Sequence, residues 1–247
     1  MKNTLLMEKI NVLGFGIFND EFDSIFNIED SIRINTISPN SFSITLKNSE
    51  FKNALKSSDI ITLDGLYFGL ASKLLNGVSI PKKSGTDWFY FLMGHYNKIS
   101  GRIFFLGSTN ETLTKIKTNA ILKYPNLSIE YLSPSFKSEF DEADIKNMSG
   151  KINEFKPDVL FLGLTAPKQE ILSYQLLDKV DVKIICSIGN VFDWFAGNQK
   201  QPEKFWVKLG LEWFIRTVRR PEILKRYPNV FYFFWILFLN VIKVRKD

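Results

Sequence analysis

Residues 157–170 read PDVLFLGLTAPKQE, and within this stretch an apolar strand leads through a glycine-containing turn into a helix. The apolar run at residues 159–164 has the length of a buried strand, and a polar turn follows it. Pro167 suits the first turn of a helix, because that position needs no backbone N–H donor. A strand, a turn and a helix in this order form the repeating unit of a parallel sheet.

The same alternation extends in both directions along the chain. Apolar strands are predicted at residues 32–38, 60–63, 102–106, 128–131, 159–164 and 183–188. Helices are predicted between them at residues 42–57, 66–75, 86–98, 111–124, 139–155 and 168–179. The predicted fold class is therefore α/β, a Rossmann-like parallel sheet with helices on both faces.

The alternation stops near residues 198–202, and the charge balance changes there as well. Residues 198–247 hold eleven Lys or Arg and four Asp or Glu, whereas residues 1–197 hold 21 and 22. We therefore predict an α/β domain over residues 1–197 and a basic, helical appendage over residues 198–247. A neutral body with a basic, aromatic end suggests a partner that is anionic, apolar or both.

The first part of this appendage has the pattern of a two-sided helix from about residue 203, although a solvated face with one internal salt pair is the alternative. Its apolar side consists of Phe205, Leu209 and Trp213. Its charged side consists of Lys208, Glu212, Arg216 and Arg220.

The second part contains the apolar run VFYFFWILFLNVI at residues 230–242. A membrane-spanning helix needs about 20 residues, so this run is too short to cross a bilayer alone. Basic residues flank it on both sides, among them Arg226 and Lys243. We interpret it as an anchor on an anionic membrane surface. A helix docked on the body and a contact with another subunit are the alternatives.

Polar turns follow four of the predicted strands, at residues 64–65, 107–109, 163–170 and 189–193. Ligands of open parallel sheets bind beyond the carboxyl ends of the strands, so these turns should share one rim. Three of them precede a helix, whose free N–H groups can hold an anion such as phosphate.

Two of these turns carry side chains suited to chemistry. Asp64 ends a strand beside Gly65, where its carboxylate can accept a proton from an attacking hydroxyl group; a turn-capping role is the alternative. Gln169 and Glu170 begin a helix at the same rim. They can recognise polar groups of a sugar or a nucleotide, or they can cap the helix.

Several classes of site have no support in the sequence. One cysteine and one histidine provide neither a disulfide framework nor a zinc site, and no P-loop or Asp-x-Asp motif occurs. The pair Gly14 and Gly16 lacks the third glycine of a dinucleotide fingerprint, since Asn19 stands there. No signal peptide is recognisable, so we expect a cytoplasmic protein. Because none of these site motifs occurs, we also expect no cofactor, no metal and no nucleic-acid partner.

Five segments in a fixed order resemble one known family, the WecG/TagA/CpsF glycosyltransferases, over roughly residues 10–230. They are Asp64-Gly65, KKSGTDW (82–88), GLTAPKQE (163–170), IGNVFDWFAG (188–197) and GLEWFIR (210–216). The resemblance implies inverting transfer of an N-acetylmannosamine-type sugar, or another hexose, from a UDP donor. The implied acceptor is a polyprenyl-diphosphate-linked sugar at the inner face of the membrane, in cell-wall or surface glycan synthesis without a metal.

The resemblance also implies roles for individual residues. Asp64 is the implied catalytic base. Asn40, Gln169, Arg216 and Arg226 match substrate-binding residues of the family, and Ser38 and Lys82 stand at two further family positions. Glu170 and Arg220 join the predicted substrate-binding residues because of their position and chemistry. From their position at the rim, we predict that the nucleotide is held by the turns that contain Gly107, Ser108, Gly163, Pro167, Gly189 and Asp193. The chain departs from the family pattern at Ser38, Lys82 and Ile223, where the family usually has Thr, Arg and Arg.

Two other classes of function remain open at this stage. A nucleotide-dependent oxidoreductase would share the sheet but would bind NAD(P). A non-catalytic membrane adaptor would bind no sugar nucleotide and would be unaffected by Asp64→Asn. Assembly into a homo-oligomer through the apolar run is open as well.

Overall fold

The computed structural model describes residues 7–203, 205, 206 and 212–244. The strands are β1 (Lys9–Val12), β2 (Phe15–Phe18), β3 (Ile32–Ile37), β4 (Ile60–Leu63), β5 (Arg102–Gly107), β6 (Ser128–Leu132), β7 (Val159–Gly163) and β8 (Ile184–Ser187). The last six form one parallel sheet in the order β4-β3-β8-β7-β5-β6, and β1 and β2 form an antiparallel hairpin. The parallel sheet confirms the predicted fold class.

The helices are α1 (Pro39–Thr45), α2 (Ser49–Lys56), α3 (Tyr67–Asn76), α4 (Gly85–Lys98), α5 (Asn110–Lys123), α6 (Glu142–Phe155), α7 (Lys168–Leu176), α8 (Val191–Phe195), α9 (Glu212–Arg219) and α10 (Tyr227–Val244). Short 3-10 helices lie at Phe22–Asn27 and Pro221–Arg226. The continuous helix predicted from about residue 203 falls partly outside the described ranges, which exclude Lys208 and Leu209.

Helices cover both faces of the sheet, because successive side chains of a strand point to opposite faces. On one face, Phe105 of β5 and Phe161 of β7 stack 5.7 Å apart beneath Phe89 of α4. On the other face, Phe104 and Leu160 of the same strands pack with helices α6 and α7. Side chains from the strands are therefore buried on both faces, as the continuous apolar runs indicated.

The single helix predicted at residues 42–57 is wrong, since the structure places two helices there. Asn48 separates them, and its side chain accepts a hydrogen bond from the backbone N–H of Phe51 at 2.8 Å. An asparagine at this position satisfies the first turn of α2 and so favours a new helix over continuation of α1.

The β1–β2 hairpin was not predicted, because four-residue strands are too short to show clear alternation. Its turn has positive φ at both central residues, 53° at Leu13 and 83° at Gly14. This is the backbone twist that two-residue hairpins require, although a leucine rarely adopts it. Val12 and Phe15 pack into the core formed by α1, α2, α3 and α10.

Helix α10 docks on the body along one side. Phe233 is fully buried, with its ring 5.6 Å from that of Phe42 and 5.4 Å from that of Phe68. Leu237, one turn further along, is buried as well. One side of the apolar run is therefore docked on the body, which was an alternative to the membrane anchor.

The opposite side of α10 is exposed and rich in aromatic residues. Its exposed residues are Phe231, Tyr232, Trp235, Phe238 and Leu239. Among the helices in the described ranges, none combines the length and the hydropathy needed to cross a bilayer.

Candidate active site

A cavity of about 1060 Å³ lies at the carboxyl ends of the parallel strands, and we call it the main cavity. Loops that follow all six strands of the sheet line it, as expected for a ligand site in an open parallel sheet. The appendage contributes Arg216, Arg220 and Arg226 to its wall. Body and appendage therefore form the cavity together.

A second cavity of about 410 Å³, the side cavity, adjoins the main one. The residues that line both cavities are Ser38, Asn40, Asp64, Lys82, Arg216, Ile223 and Arg226. Asp64 therefore lies where the two cavities meet, together with most of the residues predicted to bind substrate.

Asp64 follows the last residue of β4 and is half-buried. Its backbone N–H donates to the carbonyl oxygen of Ile37 at 2.9 Å, which extends the pairing of β3 and β4 to the rim. Gly65 has a φ of 98°, a conformation that residues with a side chain rarely adopt. Apart from its two chain neighbours, no described residue has an atom within 4 Å of the position where a Cβ on Gly65 would be, so the backbone beside Asp64 is open to a ligand.

Gln169 and Glu170 lie at the start of α7, and both are buried. The amide Nε2 of Gln169 donates to Oε1 of Glu170 at 2.9 Å, while its Oε1 accepts from the backbone N–H of Gly189 at 3.1 Å. Gln169 therefore joins the loop after β7 to the loop after β8, in addition to lining the main cavity.

Glu170 has an unusual environment for a carboxyl group. It is 2% exposed, and in the described part of the chain its Oε2 has no hydrogen-bond partner. Burial raises the pKa of Glu170 to about 7, and the hydrogen bond from Gln169 opposes this shift. The carboxyl group therefore keeps its proton to a higher pH than an exposed glutamate does.

The appendage is attached over the loop that follows β8. The Arg220 guanidinium donates to Oδ1 of Asn190 at 2.9 Å and to Oε1 of Gln199 at 3.2 Å. The Arg216 guanidinium lies 5.4 Å from the centre of the Trp194 ring, within the range of a cation–π interaction. These contacts position the arginines above the main cavity.

The charges at the junction of the cavities favour an anionic ligand. Partial removal from water lowers the pKa of Arg226, and the positive charges of Arg216 and Arg220 lower it further. Asp64 and Glu222 act in the opposite direction. The guanidinium groups of Arg216 and Arg220 are thus close enough to Arg226 to act on its charge, and such a group of cations is chemically suited to an anion such as a diphosphate.

Two of the predicted substrate-binding residues also have structural partners. Ser38 caps α1, with its Oγ accepting from the backbone N–H of Ser41 at 3.3 Å. The Oδ1 atom of Asn40 accepts from Nδ2 of Asn229 at 3.0 Å, which links α1 to the first turn of α10. Both side chains are therefore held at the cavity wall by neighbouring elements.

Most of the residues predicted to hold a nucleotide line the main cavity, namely Ser108, Gly163, Pro167, Gly189 and Asp193. Gly107 does not. A Cβ on Gly107 would lie 2.5 Å from the carbonyl oxygen of Gly163, so this glycine allows close approach of β5 and β7. Thr109 belongs to the predicted rim turn at residues 107–109 but was not among the residues predicted to hold the nucleotide; it lines the cavity, and its hydroxyl accepts a hydrogen bond from the backbone N–H of Thr112, which caps α5.

Other lining residues were not among the predicted site residues. Asn190, Trp194 and Asn229 line the main cavity and hold the appendage against the body, which is a tertiary relation without a local pattern. The loop at residues 134–138 also lines the main cavity, although it contains no motif. In the described ranges, no three His, Cys, Asp or Glu side chains are grouped so that they could hold a metal ion.

Comparison with known sequences identifies the family. The sequence profile of the glycosyl transferase WecG/TagA/CpsF family matches residues 7–247. The chain belongs to this family. The resemblance inferred from five short motifs is thereby confirmed, and the protein is a glycosyltransferase. The oxidoreductase and adaptor interpretations lose their support.

Two relatives have named activities. A protein of Bacillus subtilis (strain 168) named N-acetylglucosaminyldiphosphoundecaprenol N-acetyl-beta-D-mannosaminyltransferase is 28% identical over 197 residues, which cover 80% of this chain and 75% of the relative. A protein of the same name from Staphylococcus aureus (strain MRSA252) is 25% identical over 239 residues, 93% of this chain and 87% of the relative.

The buried carboxyl group predicts a pH dependence of stability. The pKa of Glu170 in the folded protein, about 7, lies above the ordinary value of 4.5. Its contribution to stability is therefore complete below pH 4.5 and is lost as the pH rises through 7. Glu170→Gln, which mimics the protonated form, should be more stable than wild type at pH 8 by roughly 1–3 kcal/mol and should match it near pH 4.5.

Thermal unfolding of both proteins across this pH range measures the difference. Glu142→Gln, on the exposed first turn of α6, is the control and should follow wild type throughout. Parallel curves for wild type and Glu170→Gln would contradict the assignment of a raised pKa.

Proposed function

We propose that this glycosyltransferase transfers an N-acetylmannosamine-type sugar from a UDP donor to a polyprenyl-diphosphate-linked N-acetylglucosamine. The names of the relatives support this choice of sugar and acceptor. The observation that carries the proposal is the position of Asp64, at the junction of two cavities and within electrostatic reach of Arg226. A base that is adjacent to an anion-binding site fits a reaction between two diphosphate-bearing substrates.

In the proposed mechanism, Asp64 accepts the proton of an acceptor hydroxyl group. The hydroxyl oxygen forms a bond to the anomeric carbon of the donor sugar. The bond from that carbon to the UDP oxygen breaks on the opposite face, and UDP leaves with the electron pair. One bond forms as one breaks in line, so the configuration at the anomeric carbon is inverted.

The nucleotide is assigned to the loops on the body side of the main cavity. Ser108 and Thr109 precede the 14-residue helix α5, whose N-terminal N–H groups favour a phosphate group. Gly189 borders the same space with no side chain; Gly163 borders it as well, but the room left by its missing side chain is occupied by the Phe192 ring. The departing diphosphate would be stabilised there by backbone N–H groups and by nearby basic side chains.

The acceptor diphosphate is assigned to Arg216 and Arg226. Both line the main and the side cavity, so they can hold a diphosphate whose attached sugar reaches Asp64. The appendage, the segment from residue 198 onward, then also covers the site. Excluding water is useful in a transferase, because water would compete with the acceptor hydroxyl as nucleophile.

The exposed side of α10 is proposed to lie on the inner face of the plasma membrane, where a lipid-linked acceptor is embedded. Trp235 and Phe238 stack 6.0 Å apart and are 56% and 55% exposed. Lys225 and Lys243 are exposed near the ends of α10, and Nζ of Lys47 lies 6.0 Å from the Tyr232 ring. Exposed aromatic rings with lysines around them suit an anionic bilayer surface.

Asp64→Asn tests the catalytic role. The amide cannot accept the proton, so the rate of sugar transfer should fall by about 10²–10⁴-fold. UDP binding, measured by isothermal titration calorimetry, should stay close to wild type because the nucleotide loops are unchanged. Transfer at a near-normal rate would remove Asp64 as the base. Loss of UDP binding as well would show that the residue supports the donor site.

Trp235→Ser combined with Phe238→Ser tests the membrane surface. Both side chains lie on the exposed side of α10, so the double variant should fold normally and bind anionic vesicles at least about tenfold more weakly in sedimentation. Ile121→Ser combined with Leu122→Ser, two exposed apolar residues of α5, is the matched control and should bind as wild type does.

Equal vesicle binding by the two double variants would contradict the membrane proposal. If analytical ultracentrifugation instead shows that wild type self-associates and only the α10 double variant dissociates, the exposed side is a contact between subunits.

A further inference from the structure

The side cavity is not needed by the sugar or by the nucleotide in the proposed mechanism, yet it opens directly beside the reacting groups. At one end it shares Asp64, Arg216 and Arg226 with the main cavity. Away from these residues its wall is apolar and is built by Leu66, Tyr67, Trp213, Val230, Phe231 and Phe234. The side cavity is therefore charged at one end and apolar at the other.

The apolar wall comes from two elements that face each other. Leu66 and Tyr67 lie at the start of α3, and Tyr67 packs edge-on against Phe234 of α10 with ring centres 5.4 Å apart. Val230 and Phe231 belong to the first turns of α10. Since Phe231 is also on the exposed side of α10, the cavity leads from the arginines towards the proposed membrane surface.

Ile223 adds to the apolar character of this wall. It lines both cavities, and its hydrocarbon side chain extends apolar surface to the junction where Asp64 lies. The lining of the side cavity is thus charged at Arg216 and Arg226 and apolar at Ile223 and the residues beyond it.

We infer that the side cavity holds the isoprene units of the lipid acceptor that are nearest to its diphosphate. This inference rests on the proposed function and specifies how the acceptor is bound. With the diphosphate at Arg216 and Arg226 and the sugar directed to Asp64, the next atoms of the acceptor are prenyl carbons. The side cavity is an apolar space next to those arginines, and its far end at Phe231 lets the chain continue into a bilayer.

Acceptor binding would then include a hydrophobic contribution that does not depend on a membrane. Each methylene group moved from water to an apolar site favours binding by about 0.8 kcal/mol, close to fourfold. This hydrophobic contribution to binding should increase over the first isoprene units and then level off, because later units extend beyond the cavity.

The experiment uses the full chain and N-acetylglucosaminyl diphosphate esters that carry one to five isoprene units. All are assayed without vesicles or detergent and below the concentration at which they aggregate, so partition into a bilayer contributes nothing. For wild type, kcat/KM should rise at least about tenfold from one to three units and then level off.

Two variants narrow the cavity from opposite walls. Leu66→Trp and Val230→Trp should each reduce the ratio of kcat/KM for the three-unit and one-unit acceptors to less than about threefold. Leu66 is half exposed, so its replacement should not disturb folding, and UDP binding with thermal unfolding verifies this. Leu74→Trp, exposed on the same helix and outside both cavities, should keep the wild-type ratio.

The outcomes separate this inference from the proposed function. Transfer that proceeds equally well with every chain length would overturn the prenyl site and leave the proposed function intact. A chain-length dependence that neither tryptophan variant reduces would place the prenyl group elsewhere and would also overturn it. If no acceptor is used, including the long lipid in vesicles, the proposed function itself fails.

Discussion

The burial of Phe233 between Phe42 and Phe68 is the contact on which the arrangement of the site depends. Helix α10 begins at the residue after Arg226, so docking of the Phe233 ring on α1 and α3 fixes the backbone from which the Arg226 side chain extends. Both partner rings belong to helices that follow β3 and β4, the strands that lead to Ser38 and Asp64. One aromatic cluster thus sets the distance between the candidate base and the backbone at Arg226.

The same helix has different partners on its two sides. Phe233 and Leu237 are buried in the core, while Trp235 and Phe238 are exposed. A helix with apolar residues all round is normally buried, so an exposed aromatic side indicates a partner surface beyond the described residues. Under the proposed function, the bilayer that carries the acceptor would be that surface, and Arg226 would lie close to it.

Local patterns in the sequence predicted the sheet well, because its strands are continuous apolar runs bounded by polar turns. They also located Asp64, since a carboxylate at the carboxyl end of a parallel strand reaches the ligand rim in any such fold. Gly107 was predicted to border the nucleotide but does not line the main cavity. A glycine that makes room for a ligand and one that makes room for a neighbouring strand cannot be told apart in sequence. The contact of Gly107 with Gly163 decides between them.

Tertiary relations were beyond the reach of local patterns. One side of α10 is buried and the other is exposed, depending on which side packs against α1 and α3. Both sides are apolar in sequence, so the sequence does not show which one is buried. Arg220 donates hydrogen bonds to Asn190, 30 positions away in sequence, and to Gln199, 21 positions away, and no motif connects these residues. The glutamate pKa near 7 also follows from burial beneath the rim, which the polar sequence around Glu170 does not reveal.

If arginines of the appendage complete an active site whose base belongs to the body, then replacing Arg216 and replacing Arg219 should have very different effects. Both lie on α9, but Arg216 lines the cavities whereas Arg219 lines neither and instead contacts the backbone carbonyl of Lys200. The measurement is kcat/KM for the lipid acceptor in Arg216→Ala and Arg219→Ala. We expect kcat/KM to fall by about 10–100-fold in Arg216→Ala and by less than about twofold in Arg219→Ala, with UDP binding unchanged in both. Equal losses, or a loss confined to Arg219→Ala, would contradict it.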